Sequence, residues 1–143
     1  MFISKSPLRV SFFGGSTDYK DFYSKHGSLL IGTTIDKYSV TGLRYRPRFL
    51  DDCLHISANQ HDVVDNVEDI KNPLIREILK YYNVLKNIDL FTFNDIPTRT
   101  GLGGSSSFCV SLIHSIYKLL NKELDKKDII KEAIHIERNI LKE

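Results

Sequence analysis

A loop rich in glycine and serine separates a strand-like segment from a helix-like segment in the last third of the chain. Residues 97–107 read P-T-R-T-G-L-G-G-S-S-S. Gly101, Gly103 and Gly104 allow the backbone to turn tightly and to approach a ligand closely. The serines at 105–107 stand where the helix begins, so unpaired N–H groups and the positive end of the helix dipole face the loop. This pattern predicts an anion site, and a phosphate group suits it best.

The flanking segments set the order strand, loop, helix. Residues 88–96 alternate between apolar and polar side chains, as a half-buried strand does. The helix is predicted from an apolar stripe of Phe108, Leu112, Ile113, Ile116, Leu119 and Leu120. Without such flanks, the loop is most simply a flexible connection with a serine cap. A Walker loop is excluded because no Lys-Ser or Lys-Thr pair follows the glycines, and the dinucleotide fingerprint is not matched.

The loop resembles the central motif of the GHMP small-molecule kinases, the superfamily of galactokinase, homoserine kinase, mevalonate kinase and phosphomevalonate kinase. Their motif reads approximately P-x-x-x-G-L-G-S-S-A, and Pro97 and residues 101–106 match it here. Gly104 stands where the family usually has its first serine. The second serine, which helps to hold the magnesium ion of the nucleotide, falls on Ser105. The resemblance implies ATP binding by Arg99, Gly101, Leu102, Gly103, Gly104, Ser105 and Ser106.

A second match lies near the N-terminus, where residues 6–19 read S-P-L-R-V-S-F-F-G-G-S-T-D-Y. This segment resembles the first motif of the family in its sugar-kinase form, and its Gly-Gly-x-Thr-Asp part is similar to that of heptose-phosphate kinases. The resemblance implies that Arg9 is catalytic, stabilising charge on the transferring phosphoryl group. It also implies that the acceptor is bound by Gly15, Ser16, Thr17 and Asp18. From the residues alone, Arg9 is a surface strand arginine and Asp18 a turn residue.

The third family element is a magnesium-binding glutamate on the last helix. This helix is predicted to start after Leu124 with Asp125 as its N-cap. Glu137, in the sequence I-E-R, interrupts the apolar face of the helix. By its position alone Glu137 is a boundary residue, whereas the resemblance makes it a ligand of Mg²⁺ together with Ser105.

Taken together, the motifs imply an ATP- and Mg²⁺-dependent kinase that phosphorylates a sugar or sugar phosphate, similar to heptose 7-phosphate, at its anomeric hydroxyl. Residues 1–143 are then the N-terminal, ATP-binding domain. The resemblance implies that the family's general base, an aspartate, follows Glu137 a little beyond Glu143, and that a C-terminal domain which walls the acceptor site comes after it. We therefore expect this chain alone to be inactive. The alternative is a truncated, non-catalytic module of the same fold that binds a nucleotide or a partner.

Composition limits the other classes of function. A hydrophobic content of 41%, a charged content of 27% and the absence of a long apolar run are typical of a cytoplasmic globular domain without a membrane partner. A net charge of +2 is too small to indicate nucleic-acid binding. Arg44, Arg46 and Arg48 have the spacing of one strand face, and we interpret them as the solvated face of an edge strand. A homodimer or the C-terminal domain is expected to cover exposed apolar surface.

The predicted fold is α+β, with a mixed sheet packed against helices as in the ribosomal protein S5 domain 2-like fold of GHMP kinases. We predict Cys109 in the core and Cys53 in a strand or loop, and the five histidines show no metal-ligand spacing. Strands are expected around Val10 and Phe12 and at 28–35, 37–46, 54–57, 62–67 and 88–96. Helices are expected at 20–26 and 73–82, from the serines at 105–107 onward, and after residue 124.

Overall fold

The computed structural model describes residues 1–47, 49, 53–97, 100–123 and 125–142. Within these residues, five strands form one sheet in the order β1-β2-β5-β3-β4. The β3 and β5 strands pair in parallel, and the other neighbours pair antiparallel. The strands are β1 (Phe2–Phe13), β2 (Ile31–Tyr45), β3 (Leu54–Ser57), β4 (His61–Val64) and β5 (Ile88–Asn94).

Helices connect the strands and cover the sheet. They are α1 (Lys20–His26), α2 (Pro73–Tyr81), α3 (Gly104–Leu119) and α4 (Lys126–His135). A 3₁₀ turn spans Val67–Asp69, and α4 continues directly into a π-helical segment at Ile136–Ile140. The predicted α+β class with a mixed sheet is confirmed.

Side-chain caps fix where two of the helices begin. The Asn72 side chain accepts hydrogen bonds from the amides of Leu74 (3.0 Å) and Ile75 (3.2 Å), and Pro73 occupies the first turn as predicted. Asp125 caps α4 as predicted, by accepting from the amide of Lys126 at 2.7 Å.

The core lies between one face of the sheet and helices α2, α3 and α4. The predicted stripe of α3 is confirmed, because Leu112, Ile113 and Ile116 are fully buried and Phe108 and Leu119 nearly so. Cys109 is a core residue as expected, and Cys53 is buried immediately before β3. Burial of this apolar surface is the main favourable term in the free energy of folding.

Hydroxyl groups contribute several of the contacts between α3 and strands β1 and β2. Thr41 Oγ1 and Ser111 Oγ lie 2.6 Å apart, and Ser4 Oγ lies 2.8 Å from His114 Nδ1. Ser107 Oγ donates to the Pro7 carbonyl at 2.8 Å. Small hydrogen-bonded side chains let the helix approach the strands closely, so the N-terminus of α3 is held firmly against β1.

The strand bounds differ from the sequence prediction in three places. The predicted pair of strands at 28–35 and 37–46 is one continuous strand, β2, because Asp36 and Lys37 stay in extended conformation rather than forming a turn. The strand predicted at 62–67 is β4, which ends at Val64 where the chain enters the 3₁₀ turn. The strand predicted at 88–96 ends at Asn94.

The arginine stripe on β2 is not the solvated face of an edge strand, because β2 is paired with β1 on one side and with β5 on the other. Asp89 on β5 forms ion pairs with Arg44 (2.6 Å) and with the buried Arg46 (2.7 Å). Burial raises the pKa of Asp89, but the two guanidinium hydrogen bonds outweigh it and hold the pKa below its ordinary value. Arg48 lies outside the described residues.

Candidate active site

The glycine loop presents the open N-terminus of α3. Gly101 and Gly103 have φ values of +75° and +71°, in the left-handed region that glycine adopts without strain. Gly103 precedes α3 and forms no side-chain cap, so the first-turn amides of residues 104–106 lack an intrahelical acceptor. With the helix dipole, these N–H groups favour an anion at this end of α3.

Arg9, on β1, is hydrogen-bonded to the glycine loop. Its amide donates to the Leu102 carbonyl at 3.0 Å, and its Nη1 donates to the Gly101 carbonyl at 3.2 Å. A Cβ on Gly103 would lie 3.1 Å from Arg9 Cγ and 3.2 Å from Nε, so the guanidinium stem passes directly over this glycine. The two motifs, joined by a side-chain bond between residues 92 positions apart in sequence, therefore form one structure.

A cavity of about 480 Å³ adjoins the loop. The glycine loop, Arg9, Ser105 and Ser106 form one wall. The other walls come from β5, the turn after β3 and the first turn of α2, through Thr92, Asn94, Ala58, Asn59, Asn72, Pro73 and Leu74. Sequence reasoning missed this second set. Among these residues, only the Asn-Pro pair at the start of α2 is a recognisable sequence pattern. It indicates the start of a helix rather than a binding site.

The three serines of the loop have different surroundings. Ser105 and Ser106 are exposed and line the cavity, whereas Ser107 is buried and bonded to β1. Ser106 Oγ donates to Glu137 Oε2 at 3.2 Å. The serine that reaches Glu137 is therefore Ser106, the residue after the one that the motif comparison singles out as the magnesium ligand.

Glu137 lies in the π-helical segment that follows α4. The Leu141 amide donates to the Ile136 carbonyl at 3.0 Å, across five residues, which is the π-helical spacing. Such segments are frequent at functional sites, since they change the direction in which successive side chains point. Here Glu137 extends to the N-terminus of α3, while Arg138 extends to the loop between β1 and α1.

The predicted acceptor-binding residues form a tight turn between β1 and α1. Thr17 Oγ1 donates to the Gly14 carbonyl at 2.6 Å and lies 2.8 Å from Ser28 Oγ. Ser16 has a φ of +69°, and Gly14 has a φ of +86°. A Cβ on Gly14 would meet the Leu29 carbonyl oxygen at 2.1 Å, so the close approach of Leu29 requires glycine here.

Asp18 follows this turn and is half-buried. Its backbone carbonyl accepts from Arg138 Nη2 at 3.1 Å. Its carboxylate makes no hydrogen bond or ion pair with any residue that the structure describes. Gly15 has open space around it. The Asp18 carboxylate is thus available to a ligand.

The structure thus brings together Arg9, residues 101–106 and Glu137, and connects them to the turn at 14–18 through Arg138. Arg99, the remaining predicted ATP-binding residue, lies outside the described residues. In the part of the chain that is described, no three His, Cys, Asp or Glu side chains cluster in the manner of a metal centre. No described helix is long and apolar enough to cross a membrane.

Comparison with known proteins gives the family. Residues 69–143, just over half of the chain, match the sequence profile of the GHMP kinases N terminal domain. The chain belongs to the GHMP kinases. The D-glycero-alpha-D-manno-heptose 7-phosphate kinase of Campylobacter jejuni is 29% identical over 96% of this chain and 43% of its own length.

Solved structures of GHMP kinases share the fold. A D-glycero-D-manno-heptose 1-phosphate kinase from Bacteriodes thetaiotaomicron has a TM-score of 0.81 at 23% identity, covering 98% of this chain and 49% of its own. The mevalonate kinase of Methanococcus jannaschii has a TM-score of 0.75 at 22% identity, covering 99% of this chain and 47% of its own. The chain spans less than half the length of each of these three relatives.

Proposed function

We propose that this GHMP kinase chain is the N-terminal, ATP-binding part of a cytoplasmic kinase that phosphorylates a sugar phosphate similar to heptose 7-phosphate. The observation that carries the proposal is the arrangement of three groups around one loop. The open N-terminus of α3 and Arg9 line the cavity, and the Glu137 carboxylate contacts Ser106 in the cavity wall. Each group is suited to one part of a magnesium nucleotide.

The phosphates of ATP would bind the amides of residues 101–106. Backbone N–H groups at a helix N-terminus hold phosphate oxygens without a charged side chain. The volume of about 480 Å³ falls within the range of small-molecule sites, so the cavity has room for a nucleoside. The nucleoside would extend from the loop toward Asn59 and Asn72, at the far wall.

Magnesium would be held by Glu137 and a loop serine. The fit is chemical: a carboxylate and a hydroxyl oxygen lie 3.2 Å apart beside the phosphate loop, and Mg²⁺ prefers a few protein oxygens plus phosphates and water. When bound, the ion neutralises phosphate charge and orients the transferring group. Ser105 is the ligand that the motif predicts, and Ser106 is the serine in contact with Glu137.

Arg9 and Asp18 would serve the transfer itself. With Nη1 on the Gly101 carbonyl, the Arg9 guanidinium is fixed at the edge of the phosphate loop, and its other N–H groups can stabilise charge on the phosphoryl group. The Asp18 carboxylate would accept hydrogen bonds from acceptor hydroxyls. The anomeric oxygen then attacks the γ-phosphorus, ADP leaves, and the hydroxyl proton passes to a base that we place beyond residue 143.

Calorimetric titration of this chain with MgATP tests the nucleotide site. We expect binding that weakens about tenfold or more in Glu137→Gln, since a charged ligand of the ion is lost. Ser105→Ala and Ser106→Ala, measured side by side, identify the serine that contributes. Lys131→Met, an exposed change on α4, is the matched control and should bind as the wild type does. A folded chain that does not bind MgATP would contradict the proposal.

Phosphoryl transfer is tested on the full-length gene product, with heptose 7-phosphate and galactose compared as acceptors. Formation of a sugar bisphosphate from heptose 7-phosphate, with release of one ADP per product, is the expected result. Nucleotide binding without turnover of any sugar would favour the non-catalytic module instead.

A further inference from the structure

Glu137 and Arg138 are neighbours in sequence, yet their side chains reach two different parts of the molecule. Glu137 contacts Ser106 at the phosphate loop. Arg138 Nη2 donates to the Asp18 carbonyl at 3.1 Å, and its Nη1 donates to the Tyr23 hydroxyl at 3.3 Å. The Arg138 guanidinium also lies 5.9 Å from the centroid of the Tyr23 ring.

These contacts connect the C-terminal helix to the acceptor loop, defined here as residues 14–18. The bonds of Thr17 to Gly14 and Ser28 shape the loop internally and tie it to the start of β2. Neither bond sets its distance from Glu137. Arg138 does so, because a single short segment carries both the carboxylate at the phosphate loop and the guanidinium at the acceptor loop.

We infer that Arg138 is a positioning residue that holds the acceptor loop, and so the Asp18 carboxylate, at a fixed distance from Glu137 at the phosphate loop. The inference rests on the proposed function, since this distance affects a reaction only if loop 14–18 holds the acceptor. In-line phosphoryl transfer is sensitive to such placement: an error of about 1 Å can lower the rate by about a hundredfold.

Arginine suits this position better than lysine. Its planar guanidinium donates in two directions at once, here to a carbonyl and to a phenol oxygen, and its face also stacks on an aromatic ring. A lysine ammonium could occupy one of these partners but not span both. We therefore expect Arg138→Lys to behave as a loss of the contact rather than as a conservative change.

Hydrogen exchange of the chain without ligand tests the contact itself. In Arg138→Met, we expect the amides of residues 17–23 to exchange about tenfold faster, because two hydrogen bonds to a charged group are lost. Amides of α3 should be unchanged. Tyr23→Phe keeps the ring but removes the acceptor hydroxyl, so its effect should be intermediate. Lys131→Met is the control on α4. Wild-type exchange at residues 17–23 in Arg138→Met would overturn the inference.

Kinetics of the full-length gene product test the consequence. With heptose 7-phosphate as acceptor, Arg138→Met and Arg138→Lys should raise the KM for the acceptor about tenfold or more and leave the KM for MgATP within about twofold. A parallel rise in both constants would indicate a general structural role and would overturn the inference. If the wild-type chain fails to bind MgATP, the proposed function falls. The exchange comparison still decides whether Arg138 holds the loop.

Discussion

At the scale of single residues, Gly103 is the most constrained of the described glycines in the glycine loop. Its φ of +71° is unfavourable for any side chain, and the Arg9 stem fills the space that a Cβ would need. Gly104, the next residue, begins α3, and a Cβ at this position would have no neighbour within 4 Å. A residue with a side chain is therefore unfavourable at position 103 and acceptable at position 104.

The pair Gly103→Ala and Gly104→Ala exploits this difference. We expect Gly103→Ala to lower the free energy of unfolding by about 1–3 kcal/mol, because a strained backbone and a contact with Arg9 are introduced. Gly104→Ala should leave stability unchanged or raise it by about 0.5–1 kcal/mol, because it reduces the entropy of the unfolded chain within a helix. Urea denaturation measures both. Equal losses in the two variants would contradict this account of the loop.

Asp89 gives a prediction in pH. Its pKa in the folded chain is below the ordinary value, so its contribution to stability is present above the unfolded pKa of about 3.9 and is lost as pH falls further. Asp89→Asn should cost about 1.5–3 kcal/mol at pH 7, since Arg46 keeps its buried place without a charged partner. Below about pH 4, the difference in the free energy of unfolding between the wild type and Asp89→Asn should become smaller. Chemical denaturation across pH 2–7 measures this difference. A difference that does not change with pH would count against the ion pair.

Residue by residue, the sequence predicts the glycines and serines of the loop because their backbone requirements are local. The hydrogen bond from Arg9 to the Gly101 carbonyl joins positions far apart in sequence, so neither periodicity nor motif spacing predicts it. Arg138 was missed for the same reason. Its partners, Asp18 and Tyr23, belong to the opposite end of the chain.

At the scale of elements, one carboxylate joins three helices. Glu132 on α4 accepts hydrogen bonds from the hydroxyls of Tyr82, at the end of α2, and Tyr117, on α3. Burial, and then the bond to Glu132, raises the pKa of Tyr117 to about 12 and also raises the pKa of Tyr82. This cluster holds α4, and with it the segment that carries Glu137, against the rest of the core.

Tyrosine ionisation should therefore reduce stability in alkali. A phenol whose folded pKa is raised contributes stability that is complete below its unfolded pKa of about 10 and is lost as pH rises toward the folded value. Between about pH 10 and pH 12, the wild type should lose more stability than Tyr117→Phe, which cannot ionise there. Equilibrium denaturation across this range measures the difference. If the free energy of unfolding fell equally with pH in the two proteins, this would argue against a hydrogen-bonded, partly buried phenol at Tyr117.

Elements with a strong local signal were predicted well, and long-range or irregular ones were not. The caps at Asn72 and Asp125 and the apolar stripe of α3 are local, so α2, α3 and α4 were predicted close to their actual bounds. The sequence prediction divided β2 at Asp36, whereas the strand continues through an irregularity at this point, where the register of its pairing with β1 shifts. The π-helical segment was not predicted, because its spacing differs from that of an α-helix only in its hydrogen bonds.

At the scale of the whole molecule, a group of apolar side chains around α1 and the adjoining ends of β1 and β2 remains exposed. The group comprises Phe12, Phe13, Tyr19, Phe22, Leu29, Leu30 and Ile31. Phe13 and Ile31 are directly paired across the two strands. An exposed patch of this kind marks an interaction surface or a tendency to aggregate.

We expect this chain to self-associate with increasing concentration through that patch. The double variant Phe13→Ser, Leu29→Ser should reduce the association measured by sedimentation equilibrium, because it removes apolar area from the centre of the patch. Phe49→Ser, a change at an exposed aromatic side chain outside the group, is the control. A wild-type chain that stays monomeric at all concentrations would contradict the expectation.

The position of β2 between β1 and β5 has a consequence for how the protein is made on the ribosome. β2 ends at Tyr45, but its second partner is complete only when Asn94 has been synthesised, and the hydrogen bond from the Arg9 amide needs Leu102. β1 and β2 must therefore wait, with β2 paired on one side only, until β5 has been made and the sheet can close. The contact between Arg9 and the glycine loop therefore forms late in synthesis, and an early stop in translation leaves it unmade.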